Sequence, residues 1–402
     1  FRKQFFISNK IQIAPSDFED WMITEIDNEN TLFYHSDLDI SMSVQDEIKI
    51  IGLGDLFDST EPSLSNDQIL QKLASLLQKE SFNKLEEFIN WLGGRWVLIA
   101  KTDNELRLYH DATGLKPVFY HALSSPEFYI ASQPALLERL SATQCLESLK
   151  QEYEKYSPRS WPINLIPYEN IHQLIPNHYL DLKRRKIFRY WPKNKIEPKS
   201  SIEAAKLMIP ILNNLIQAMI LRNDCVASLT AGYDSRLLLS CVIALNQINN
   251  VTFFTRKNEN VPEHDLEIPK IISSQKNINH VFIADTTNFN KKDDNERSII
   301  NIMENNVGGM FYGVSRYSIK SFADFVNDSF HIHGACAEPY KSFYYPNGIS
   351  PKLVTVDELC WRSGFPPSLA KKTLNDWLNT VPKNININVL DLFYWENRLG
   401  SW

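Results

Sequence analysis

Residues 228–236 read Ser-Leu-Thr-Ala-Gly-Tyr-Asp-Ser-Arg and follow the apolar stretch Cys225-Val226-Ala227. Where such a run joins a strand to a helix, the N–H groups of the turn and of the helix start converge on an anion, here a phosphate. Asp234 adds an oxygen ligand for Mg²⁺ and Ser235 a hydroxyl donor. The same residues also fit a plain strand-to-helix turn in which Asp234 caps the helix. The run lacks the G-x-x-x-x-G-K-[ST] pattern, so γ-phosphate transfer is not implied. His331, His333 and Cys336 form a second group of potential ligands, since alternate strand residues face one way. No fourth ligand falls at a suitable spacing, so packing is their expected role rather than zinc binding.

The elements needed to position the 228–236 run are legible around it. The sequence predicts a strand over 225–229, a loop over 230–235 and a helix over 236–248. A strand at 251–255, a helix at 266–277 and a strand at 280–284 follow. Alternating strands and helices imply a parallel sheet covered on both faces, with ligands beyond the carboxyl ends of its strands. Ser200 and Glu203 have capping-box spacing ahead of an apolar-rich helix to about Leu221. The polar stretch 192–199, with two prolines, places a domain boundary there. Residues 1–195 read as β-rich, with short strands at 48–53, 95–100, 106–109 and 118–121, and helices near 65–79 and 82–92. A hairpin is expected between 171–182 and 187–191, around the basic turn Lys183-Arg184-Arg185-Lys186.

The chain has 402 residues, enough for two domains. Its 43% hydrophobic and 22% charged residues are those of a soluble globular protein. A net charge of −6 argues against a general nucleic-acid binder, which carries a basic footprint. The five cysteines form no CxxC pair, and Cys225 and Cys241 fall in apolar segments as buried free thiols, which suits a reducing compartment. No uninterrupted apolar stretch approaches a membrane span. The segment Phe1-Arg2-Lys3-Gln4-Phe5-Phe6 has no signal-peptide character, so the expected location is cytoplasmic. A start at Phe1 rather than Met allows for processing or trimming.

Several blocks, in order, resemble the asparagine synthetase family, type B, and its relatives β-lactam synthetase and the lasso-peptide cyclases. Gly52-Leu53-Gly54-Asp55-Leu56-Phe57 is similar to a first-domain strand of that family. Gly94-Arg95-Trp96-Val97 with Asp111-Ala112-Thr113-Gly114-Leu115-Lys116-Pro117-Val118-Phe119-Tyr120 resembles its "D-x-x-G-x-x-P-L-Y-Y" core. Ile175-Pro176-Asn177-His178-Tyr179 resembles a "P-G-H" hairpin, with Asn177 where a left-handed residue is needed. Leu229-Thr230-Ala231-Gly232-Tyr233-Asp234-Ser235 resembles the pyrophosphate loop "S-G-G-x-D-S". His333-Gly334-Ala335-Cys336-Ala337-Glu338 resembles "S-G-x-G-x-D-E", and Glu396-Asn397-Arg398 an "E-x-R" block.

The resemblance covers roughly residues 48–402. It implies an α+β and α/β chain: residues 1–195 a glutaminase-like, N-terminal-nucleophile-like αββα sandwich, and residues 196–402 a PP-loop ATP-pyrophosphatase domain with a parallel sheet. It implies ATP and Mg²⁺ as cofactors. Leu229 to Ser235, Gly334 and Thr255 would bind nucleotide, with Thr230, Gly232 and Ser235 as donors. Asp234 and Glu338 would hold the metal, and Glu396 would be the catalytic acid. Departures from the pattern matter as much. No cysteine stands at the start of the chain, so glutamine hydrolysis is not expected. Ala231 replaces a glycine, which requires a negative φ. Glu338 stands in place of Asp, and Ala335 in place of a tyrosine or an acid. No lysine follows the last block.

The expected activity is therefore ATP-dependent amide-bond formation. A carboxylate-bearing small molecule or peptide is adenylated, pyrophosphate leaves and an amine attacks. Partner readings are a carboxylate substrate with an amine donor, no nucleic acid, no membrane, and a homo-oligomer or partner protein. Two alternatives stand beside this activity. One is a non-catalytic relative that binds nucleotide or a partner enzyme, favoured by Ala335, Ala231 and the abrupt end. The other is a PP-loop enzyme acting on tRNA, opposed by the acidic charge balance.

Overall fold

The computed structural model describes residues 2–11, 15–16, 18–121, 123–156, 160–258, 261–284, 319–334, 341–383 and 385–399. Among them, the first part of the chain builds two antiparallel sheets. One contains β1 (Phe5–Ser8), β2 (Trp21–Glu25), β3 (Thr31–His35), β8 (Phe119–His121), β9 (Tyr129–Ala131) and β10 (Ile171–Gln173), in the order β10-β8-β9-β1-β3-β2. The other contains β4 (Ile40–Gln45), β5 (Ile48–Asp58), β6 (Leu92–Lys101), β7 (Leu106–His110), β11 (His178–Asp181) and β12 (Lys186–Arg189), in the order β12-β11-β7-β6-β5-β4.

Period-two alternation sends Phe5, Ile7, Leu32, Ile51, Leu53, Val97 and Ile99 into one core between the sheets. The opposite residues, Ile50, Leu56, Trp96 and Leu98, turn outward onto α1 (Asn66–Lys79) and α2 (Phe82–Ile89). On the far side, Phe6, Phe33 and Phe119 pack against Leu136 and Leu137 of α3 (Pro134–Ser141), which α4 (Glu147–Glu154) follows along the chain. The layers thus run helix, sheet, sheet, helix.

Local chemistry sets several boundaries. Ser65 accepts from the Gln68 N–H at 3.3 Å while Gln68 accepts from the Ser65 N–H at 2.9 Å, a reciprocal cap that starts α1 where the spacing predicts it. The second predicted helix stops at Ile89, short of 92, because Leu92 already pairs with Asp58. Strand β5 runs on to Asp58, past the predicted end at 53. Gly54 and Gly94, at φ +92° and +102°, permit this. A Cβ on either would sit 2.3 Å from Arg95 O or 2.0 Å from Asp55 O. Asn177 takes φ +66°, the left-handed position expected in the hairpin before β11.

The second sheet system is parallel. It contains β13 (Cys225–Ser228), β14 (Val251–Lys257), β15 (His280–Ala284) and β16 (Phe330–Ile332), in the order β15-β14-β13-β16. On one face, α5 (Ser201–Arg222), α6 (Tyr233–Ala244) and α7 (Glu263–Lys276) cover Cys225, Ala227, Val251 and Phe253. On the other, Phe322 and Phe325 of α8 (Ile319–Val326) cover Val226 and Phe254.

The predicted Ser200–Glu203 box caps α5. The helix lies across the first part of the chain. Asn214 donates to Ser59 O at 2.7 Å, and Arg222 donates to Leu56 O at 2.5 Å and to Asn66 Oδ1 at 2.8 Å. The sequence reading expects no span, yet α5 is long and apolar enough to cross a membrane by length and composition, with 11% of that stretch buried. Finally, α9 (Val356–Ser363), α10 (Pro367–Thr380) and α11 (Val389–Phe393) share a core with Tyr153, Trp161, Ile163 and Ile175 of the first part. Cys225 and Cys241 are buried free thiols.

Candidate functional site

The strand order reverses beside β13. From β13 the chain moves outward through β14 to β15, whereas β16 lies on the opposite side of β13. Loops leaving β13 and β16 must then diverge around a crevice at the carboxyl end of the sheet, the usual ligand position in such folds. Residues 229–235 and His333-Gly334 are those loops. The register pairs Ala227 with Ile332, so both loops begin at the same level.

Helix α6 begins at Tyr233, three residues earlier than predicted, so Asp234 and Ser235 lie in its first turn rather than in a loop. Gly232 is the N-cap, at φ −66° and ψ 149°, and no side chain caps the helix. Asp234 therefore does not cap it. The loop satisfies its own donors. Thr230 N–H reaches Ser235 Oγ at 3.0 Å, Gly232 N–H reaches Thr230 Oγ1 at 3.0 Å, and Ala231 N–H reaches Asp265 Oδ1 at 2.8 Å. The N–H groups of Tyr233, Asp234 and Ser235 have no acceptor among the described residues. Three unsatisfied amides at a helix start favour negative charge. Ala231 keeps a negative φ, so the loss of glycine there is tolerated.

The structure brings Asp234 and Gly334 together. A Cβ on Gly334 would lie 3.1 Å from Asp234 Cβ, so the β16 loop packs flush against the helix start. The Asp234 carboxylate is partly exposed and accepts from Lys341 Nζ at 2.5 Å. Neither this lysine nor the carboxylate of Asp265 on Ala231 is among the ligands read from sequence. Asp265 follows the second strand of the parallel sheet at the start of α7, whereas Lys341 carries no signal in the sequence. Ser235 is buried and its hydroxyl binds the loop. Tyr233 is 82% exposed and its ring lies 4.8 Å from the Arg236 guanidinium.

Leu229 and Thr255 are placed differently from the nucleotide contacts expected of them. Leu229 is fully buried. Thr255 is buried too, and its hydroxyl donates to Leu229 O at 2.6 Å and meets His280 Nε2 at 2.8 Å. Burial lowers the pKa of His280, which keeps this ring neutral. These residues stitch the strand ends that carry the loop.

Ala335, Cys336 and Glu338 lie outside the described residues. Among the described residues, no three His, Cys, Asp or Glu side chains gather as a metal site. His331 and His333 stand 5.2 Å apart by ring centroid, and His331 packs on Phe254 and Phe322. Burial, then the neighbouring His333 and Arg95, push the pKa of His331 down to about 4. Mg²⁺ commonly takes one or two carboxylates and completes its shell with phosphate oxygens and water. The Asp234 carboxylate beside three free amides is compatible with that ion once a polyphosphate is present.

Glu396 occupies a different place. It sits in the π-helical turn Tyr394–Arg398 and is 1% exposed. The Arg189 guanidinium grips it with both terminal nitrogens, Nη2 at 2.8 Å. Asn177 Nδ2 donates at 3.0 Å and Trp377 Nε1 at 2.8 Å. Its partner is thus Arg189 of β12, not the nearby Arg398. A carboxylate holding four donors in a buried site is a structural anchor between the sandwich and the last helices, and none of those donors belongs to the 229–235 loop. The Glu396 expected as catalytic acid thus lies apart from that loop, with its carboxylate engaged by Arg189, Asn177 and Trp377.

No protein-family model matches the sequence, and no curated protein matches it. Solved structures similar to this chain include glutamine phosphoribosylpyrophosphate amidotransferase from B. subtilis, complexed with ADP and GMP. It matches at 12% identity over 67% of this chain and 64% of that one, with a TM-score of 0.28. Another is the allosteric regulatory enzyme of purine biosynthesis, at 11% identity over 97% of this chain and 88% of that one, with a TM-score of 0.31. The chain thus spans less than two thirds of the first. Superpositions this loose carry no argument, and the architecture rests on the sheets themselves.

Proposed function

We propose that the 229–235 loop grips the pyrophosphate side of ATP, and that the protein is an AMP-forming carbon–nitrogen ligase. In this reaction class a substrate carboxylate attacks the α-phosphorus, pyrophosphate departs, and an amine displaces AMP. The observation that carries the reading is the set of amides of Tyr233, Asp234 and Ser235 at the sheet's switch point, with no acceptor among the described residues. They would donate to the departing pyrophosphate as its charge grows. Asp234, with Glu338, would hold Mg²⁺, which when bound neutralises charge on the phosphates. Gly334, having no side chain, lets the end of β16 lie against Asp234 at the helix start. The amine would come from a second substrate rather than from glutamine.

A second reading has its own support. Lys341 covers Asp234, Asp265 fills one loop amide, and the Glu396 carboxylate is fully engaged. These fit a relative that binds nucleotide, or a partner enzyme, without turnover. Calorimetric titration with Mg·ATP and a pyrophosphate-release assay over candidate carboxylates separate the two. Binding with release supports the ligase, and binding without release supports the second reading. Nucleotide affinity unchanged in a folded Asp234→Ala variant would remove the site from both.

A further inference from the structure

Arg236 lies in the first turn of α6, on the same side of the helix as Tyr233. Helical side chains lean toward the N-terminus, so its guanidinium folds back to the helix start. There Nε lies 3.4 Å from the carbonyl oxygen of the N-cap residue Gly232, and the guanidinium carbon lies 4.8 Å from the centre of the Tyr233 ring. Among the described residues no carboxylate pairs with Arg236, and its two terminal nitrogens have no acceptor.

This placement runs against the local electrostatics. A helix start carries partial positive charge, and a cation there is destabilising. The amides of Tyr233, Asp234 and Ser235, with no acceptor among the described residues, add to that charge. The carboxylate of the same turn, Asp234, pairs with Lys341 instead. Nor does a protein core hold the guanidinium in place. Its platform is a ring 82% exposed, more than any other large apolar side chain among the described residues. Stacking there costs two long side chains their rotamer freedom. Positive charge is thus gathered at one point without an anion of the protein's own to meet it. A guanidinium fork beside unsatisfied amides is the donor set that recognises phosphate oxygens.

We propose that Arg236, steered by Tyr233, makes the 229–235 site selective for nucleotides that carry a pyrophosphate end. The inference rests on the nucleotide reading above and adds to it a residue outside the loop. The two terminal nitrogens grip oxygens of the outer phosphates, and the charge that opposes the empty helix is neutralised when they arrive. A monophosphate does not reach the fork. Tyr233 is a positioning residue, acting through the guanidinium that it holds at the helix start.

Isothermal titration of the full chain with Mg·ATP, Mg·pyrophosphate and AMP tests this. Arg236→Gln is expected to weaken Mg·ATP and Mg·pyrophosphate about tenfold or more, and AMP less than about twofold. Arg236→Lys keeps the charge without the fork and should recover only part of the affinity. Tyr233→Leu, which removes the platform and leaves the charge, should weaken Mg·ATP about twofold to fivefold. The thermal midpoint without ligand separates binding from folding. Because Arg236 opposes the helix dipole, Arg236→Gln should leave that midpoint unchanged or raise it. Unchanged Mg·ATP affinity, an equal loss for AMP, or a midpoint lowered by several degrees overturns the role of Arg236. Asp234→Ala tells this failure from that of the underlying reading. If Mg·ATP binding is lost in Asp234→Ala and intact in Arg236→Gln, the selectivity alone falls. If the wild-type chain binds neither Mg·ATP nor Mg·pyrophosphate, both fall.

Discussion

Replacing Glu396 by Gln tests whether this carboxylate anchors the fold or does chemistry. The side chains of Glu396 and Arg189 are 0% and 9% exposed, and Arg189 has no other carboxylate partner among the described residues. The substitution keeps the shape and one acceptor, but it leaves the guanidinium buried without its counter-charge. Breaking one side of a buried pair costs about 3–5 kcal/mol. At about 2 °C per kcal/mol for large domains, the thermal midpoint should fall by about 6 °C or more. Pairing the change with Arg189→Met removes the orphaned charge and should recover at least half of the loss, because the two sites share one interaction. Differential scanning fluorimetry reads both variants and the double variant. A fall under about 2 °C, or a double variant that merely sums the singles, refutes the anchor. An acid–base role would instead show as lost turnover at an unchanged midpoint.

Lys341→Met frees the Asp234 carboxylate and should raise Mg²⁺ affinity up to about fivefold, the scale of an exposed pair, as read by calorimetry. Thr255→Val removes the hydroxyl that ties Leu229 O to His280 and should cost about 1–3 kcal/mol in urea unfolding, with weaker Mg·ATP binding as the loop loosens. Burial holds His178 and His331 with pKa values pushed down to about 4, below the usual 6.5. The unfolded chain then takes up more protons between these values, so stability is full above about pH 6.5 and falls as pH drops toward 4. The slope is up to about 1.4 kcal/mol per pH unit for each ring. His178→Phe should flatten the thermal midpoint across that interval relative to wild type, and an unchanged slope would count against burial as the cause.

Local sequence was enough for the parts of this protein governed by neighbours along the chain. Ser200 with Glu203 announced a helix start, because a capping box closes within one turn. The strand–turn–helix at 225–244 and the alternation after it were legible from apolar spacing, and Asn177 from the left-handed turn that a hairpin demands. The start of α6 was missed because Tyr233 and Asp234 look like loop residues, and Gly232 caps through backbone geometry alone. The length of β5 was missed because Gly54 and Asp55 resemble a turn until β6 supplies a partner.

Tertiary structure alone chose the partners of the charges. Lys341 reaches Asp234 across 107 positions, and Arg189 reaches Glu396 across 207. A carboxylate reads the same in sequence whether it awaits a metal, a proton or a buried guanidinium. The choice depends on which cation the fold brings within about 3 Å and on how much water it leaves there, and neither quantity is carried by the spacing of residues along a single chain.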